Sequence, residues 1–199
     1  VLDSNDKLAV QERVSGSWVT QDLLVQGVQA VFVDASGDAT GELDRTNINA
    51  AITELASRNP AADQGTIFLT GRKYYIDEQI VFGDDSYPVI GSIPGPSLVG
   101  LNNAYIEYVG SDISAAANPY AISVYFRPGL GGTRIKNIAL DCNSNCRGML
   151  CHSLTYFSEV SNIKIEYSVG IGIDIIDCYK SRFVDVHVRY GAGIGMRVH

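Results

Sequence analysis

The last third of the chain, residues 133–199, writes one phrase three times. Ile135 to Asp141, Val160 to Glu166 and Phe183 to Arg189 align as apolar residues, a small amide or carboxylate, and apolar residues again. A second phrase accompanies it, in Gly148 to His152, Gly172 to Ile176 and Gly195 to His199. The offsets are 25 and 23 residues for the Asn137/Asn162/Asp185 column and 24 and 23 for the glycine column. A period of about 20 to 50 residues is the signature of solenoids, propellers and similar arrays.

The contents of the unit choose among these. Each holds two short runs of alternating apolar and polar residues, separated by small polar turns, with no helical spacing between them. A propeller blade takes about 40 residues and several strands. Units of about 24 residues suit one turn of a coil whose rungs stack about 4.8 Å apart. The expected fold is therefore all-β, a right-handed parallel β-helix over residues 29–199.

In that register the inward columns are apolar: Ile138/Ile163/Val186, Leu140/Ile165/Val188, Met149/Ile173/Met196 and Cys151/Ile175/Val198. The outward columns are mostly polar: Leu150/Asp174/Arg197, His152/Ile176/His199, Ala139/Lys164/His187 and Asp141/Glu166/Arg189. The Asn137/Asn162/Asp185 column falls where the coil must bend, and Asn and Asp tolerate the left-handed backbone that a bend needs. Because His199 interrupts a repeated phrase and the first residue is Val1, further chain is expected on both sides.

The formal net charge is -7, and no stretch combines clustered Lys/Arg with aromatics. That argues against nucleic acid or an anionic membrane as partner. The uncharged run from Ser86 to Ile106 is broken by Pro88, Pro94 and Pro96 and reads as no membrane-inserting helix. Of the four cysteines, Cys151 falls in an inward column as a core thiol. Cys142 and Cys146 flank a polar turn, and with Cys178 they are the disulfide or metal candidates. A zinc site from Cys142, Cys146 and His152 lacks a fourth ligand and any standard spacing, so unpaired thiols or one local disulfide are preferred. No metal or cofactor is expected.

Upstream, residues 1–28 read as a neck hairpin of two strand-like runs joined at Ser15-Gly16-Ser17, with Trp18 as its anchor. The loop carrying Asp34, Asp38, Glu42 and Asp44 lacks the alternating acids and closing Glu of a calcium-binding EF-hand and reads as a turn. A helix is expected from Asp44 to Asn59, with Asp44 as N-cap, an apolar stripe of Ile48, Ala51, Ile52 and Leu55, and Pro60 beyond its end. Placed before the coil, it would cap the open first rung.

The order of "GDATGELDRTNINAAI" (Gly37 to Ile52), "GTIFLTGRKYYI" (Gly65 to Ile76), "SLVGLNNAYIEY" (Ser97 to Tyr108) and then the repeats resembles the pectate-lyase-like β-helix superfamily. The likeness is greatest to the branch found in bacteriophage tailspikes, where a neck and a capping helix precede the coil. The resemblance implies a homotrimeric virion tail protein that binds, and in some members depolymerises, host cell-surface polysaccharide, and that meets other tail proteins through its N-terminal region. A secreted polysaccharide-degrading hydrolase or lyase, and a non-catalytic virion or adhesin protein, are the alternatives. The pectinase signatures are missing: the only Asp-Asp pair is Asp84-Asp85, in a loop.

Glycoside hydrolysis needs two carboxyl groups about 5 to 10 Å apart. On the outward columns, two pairs qualify as catalytic candidates: Asp141 with Glu166, one rung apart, and Asp174 with Asp177 in one rung. Arg197 stands above Asp174 and Arg189 above Glu166, so a surface ion pair and a charged ladder are the competing readings.

Overall fold

The computed structural model describes residues 30–58, 65–83, 96–117, 119–125, 133–154 and 158–199. The neck hairpin with Trp18, the Asp84-Asp85 pair and Pro60 lie outside these. The described residues open with strand β1 (Ala30–Val33) and contain one helix, α1 (Glu42–Arg58). Strands β2 (Thr66–Leu69), β3 (Lys73–Ile76), β4 (Ile80–Phe82), β5 (Ser97–Tyr108) and β6 (Tyr120–Tyr125) follow. The repeats supply β7 (Arg134–Asp141), β8 (Arg147–His152), β9 (Glu159–Glu166), β10 (Ile171–Ile176), β11 (Arg182–Arg189) and β12 (Ile194–Val198).

From β5 onward the chain deals its strands alternately to two parallel sheets. One is seven-stranded, ordered β1-β2-β5-β7-β9-β11 with β3 also paired to β5; the other is five-stranded, ordered β4-β6-β8-β10-β12. The pairing register is the one the repeats dictate: Ile138 opposes Ile163, which opposes Val186. Met149 likewise opposes Ile173, which opposes Met196. Period-two alternation then sends one side chain in each pair inward. Inward residues of both sheets and the helix stripe Ile48, Ala51 and Leu55 share one core.

The expectation of an all-β closed solenoid with an N-terminal capping helix needs correction. The strands form two parallel sheets, no closed solenoid is found among the described residues, and the helix is not N-terminal to the strands but follows β1. The reason is local. Each repeat carries only two extended runs, and much of the remainder is spent in turns held at positive φ, among them Asn143, Ser144, Tyr167, Asp177 and Tyr190. Two ladders result. β1 belongs to the first of them through its pairing with β2, so the helix is an insertion between neighbouring strands. Met196 and Val198, read as inward, are exposed at 44% and 68%, because β12 is the edge strand of its sheet.

The bend column behaves as its chemistry requires. Asn103, Asn137, Asn162 and Asp185 all have φ between 52° and 58°. The Asn162 side-chain amide donates to Oδ1 of Asn137 at 3.0 Å and to Oδ1 of Asn103 at 3.1 Å, tying three strands at one corner. The helix start differs from expectation. Asp38, not Asp44, caps it, accepting from the backbone N–H of Thr40 and of Leu43 at 3.0 and 3.2 Å. Gly41 just before the helix has φ 92°, and a Cβ there would lie 2.6 Å from the Asp77 nitrogen, so only glycine fits.

Candidate functional site

Asp174 lies on β10 in an outward column, with Leu150 of β8 on one side and Arg197 of β12 on the other. Its side chain is fully buried, because its neighbours close over it. Arg197 grips the carboxylate in a fork: Nε donates to Oδ1 at 2.9 Å and Nη2 donates to Oδ2. The Tyr120 hydroxyl, reaching from the start of β6, also donates to Oδ2. His199 places Nε2 3.3 Å from Oδ1, an ion pair whenever the imidazole is protonated.

The cluster extends along the face. Arg147 Nη1 donates to the Tyr120 hydroxyl at 3.4 Å, with the guanidinium 5.6 Å from the Tyr120 ring centroid. Gln79 Nε2 donates to the Tyr120 carbonyl at 2.7 Å and to the Ser123 hydroxyl at 2.9 Å. Tyr120, Tyr125 and Leu150, with Val81 and Ile176 against them, make a small apolar cluster separate from the main core. His152 meets Tyr125 edge to face at 5.7 Å.

Burial by itself would raise the Asp174 carboxyl, but the Arg197 and Tyr120 hydrogen bonds outweigh it and hold the group below the ordinary value of 3.8. The same contacts raise the Tyr120 phenol, through burial first and the adjacent carboxylate second. A general acid for glycoside cleavage needs the opposite displacement, a carboxyl held protonated near neutral pH. Asp174 is instead an ionised acceptor with both oxygens engaged. Asp177 is not drawn into the cluster: it sits exposed in a turn at φ 49°, with Oδ2 3.8 Å from His152 Nε2.

Asp141 and Glu166 stand on the other sheet, directly opposed in register, with Glu107 before them and Arg189 after. Adjacent strands place such carboxylates about 5 Å apart, within the range of retaining hydrolases. Each is individually engaged, however. Asp141 accepts from the Tyr105 hydroxyl at 2.7 Å and from the Asn143 N–H at 2.8 Å. Glu166 pairs with Lys164 and Glu107 with Lys73, both at 2.8 Å. Burial and the Asp141 contact together push the Tyr105 phenol well up. The two candidate pairs therefore occupy different sheets, each on the side turned away from the shared core, and do not converge on one cleft.

The remaining candidates have structural partners. Asp44 is fully buried and accepts from the Ser36 N–H at 2.7 Å and the Tyr75 N–H at 2.9 Å, while Asp34 accepts from the Ala35 N–H. Cys142, Cys146 and Cys151 are buried free thiols, and His152 stands outside the core beside Tyr125 and Asp177. Tyr120, Arg147, Gln79 and Tyr105 were not singled out from the sequence. The one available signal was that Tyr120 falls opposite Arg147 when the rungs are extended upstream. Comparisons of the chain with family models, with curated proteins and with solved structures found no match.

Proposed function

We propose that this chain is part of a homotrimeric bacteriophage tail protein that attaches to host cell-surface polysaccharide through the outer face of its five-stranded sheet. The observation that carries the reading is the Asp174 cluster. A carboxylate locked by Arg197 and Tyr120 holds a set of donors in fixed positions, and Arg197 is itself 40% exposed and His199 51% exposed. Recognition of sugar hydroxyls depends on such pre-set polar groups, and here the buried Tyr120, Tyr125 and Leu150 form an apolar support behind them. The net charge of -7 disfavours nucleic acid as the ligand.

The same cluster favours attachment over hydrolysis at this face, since Asp174 has no proton to give and no free oxygen to attack with. The test is retention of intact protein on immobilised host capsule and lipopolysaccharide, with parallel assays for reducing ends and unsaturated uronates. Retention without released sugar, abolished in Arg197→Gln, is expected; failure to be retained on either glycan refutes the reading. Sedimentation should give a trimer, and a monomer would count against the tail assignment.

A further inference from the structure

Where β9 and β11 end, two exposed tyrosines stack. Tyr167 and Tyr190 directly follow the register partners Glu166 and Arg189. Their ring centroids are 5.3 Å apart with the planes at 19°. They are 44% and 68% exposed, and neither hydroxyl has a hydrogen-bond partner among the described residues. Both stand at positive φ, 52° and 55°, a conformation in which a bulky side chain is strained and Asn or Gly is at ease. The pair is thus held on the surface at a backbone cost, and neither ring belongs to the apolar clusters of the described residues.

Beside it the charges are unequal. Glu166 is neutralised by Lys164 at 2.8 Å, whereas the exposed Arg189 guanidinium has no side-chain partner among the described residues. The stacked pair, with the uncommitted Arg189 preceding Tyr190 in the chain, presents stacking area and one bidentate anion donor on neighbouring residues. Resting on the polysaccharide reading above, we propose that Tyr167, Tyr190 and Arg189 form a subsite for a carboxylate-bearing sugar residue: its ring lies on the tyrosines and its carboxylate meets Arg189.

The test is calorimetric titration of the intact protein with tetragalacturonate and, as the neutral probe, maltotetraose, alongside retention on host capsule. Tyr190→Asn is the informative ring deletion, because Asn accepts the left-handed backbone and preserves the fold, which melting checks. The expected results are preference for the acidic probe, a loss of about tenfold for it alone in Arg189→Gln, and a loss of similar size for both probes in Tyr190→Asn. Unchanged capsule retention and unchanged acidic affinity in both variants overturn the subsite and leave the attachment reading standing, as does binding of the neutral probe alone. A Tyr190→Asn variant that dissociates into smaller species with its glycan affinities intact makes the pair a contact between copies, and also overturns the subsite. No retention on capsule and no affinity for either probe refutes both readings.

Discussion

Arg197 forks onto Asp174 across two neighbouring strands, Nε to Oδ1 at 2.9 Å and Nη2 to Oδ2, so the carboxylate that most invites a catalytic role is the one most firmly committed to structure. Removing it should expose that commitment. Asp174→Ala leaves the Tyr120 hydroxyl and the Arg197 fork without their acceptor, at a cost of about 2 kcal/mol. For a chain of this size the melting temperature should fall by about 4 to 8 °C, as differential scanning calorimetry would record. A variant as stable as the parent would show that the fork contributes nothing.

Acid should act on the same group. The Asp174 carboxyl is held below its ordinary value of 3.8, so between the two values the unfolded chain binds more protons than the folded one, and stability rises with pH there. The contribution is fully present above 3.8 and disappears as pH falls through the depressed folded value. Urea melts at descending pH should show a loss of stability below about pH 4 that is smaller in Asp174→Asn than in the parent.

The core columns predict a steeper penalty. Ile163 is 1% exposed and lies between Ile138 and Val186. Truncation to Ala should cost about 2 to 5 kcal/mol through lost burial and the cavity left behind, measured as a drop in the urea midpoint. Lys164→Ala, one residue away on the outer face, should change stability by no more than about 0.5 kcal/mol.

At the corner, Asn162 combines a φ of 52° with an amide that donates to both Asn137 and Asn103. Asn162→Ala loses both the conformational tolerance and the bonds, for about 2 kcal/mol. Asn162→Gly keeps the backbone at ease and should lose about half as much. Equal losses would mean that the amide ladder, not the backbone, dominates.

Much of the register was legible because it is periodic: a fixed step of 23 to 25 residues dictates which residues oppose one another, and the Asn column marks its own bends. The pairing of Arg197 with Asp174 followed from the same column. Closure of the coil did not follow, because the period constrains neighbours along the stack and says nothing about how many sheets each turn contributes to. The Asp44 role was misread for a related reason. Its acceptors' partners, Ser36 and Tyr75, come from either side of the helix, and a local capping pattern cannot report them. Tyr120 was missed because β6 precedes the clean repeats, so the contact it makes 54 residues away has no counterpart in the aligned phrases. The stretch Ser97 to Tyr108 is one strand, β5, with a register shift between Val99 and Ala104, since Asn103 turns at positive φ without ending the ladder.

Everything at the outer faces depends on strands separated by one repeat lying side by side in the stated register. Methyl nuclear Overhauser spectroscopy on Ile- and Val-labelled protein tests this most directly. Cross-peaks linking Ile138 with Ile163 and Ile163 with Val186 are predicted, with none joining Ile138 to Val186. Missing neighbour cross-peaks, or cross-peaks displaced by two residues along either strand, would contradict the register and with it the placement of Asp174 beneath Arg197.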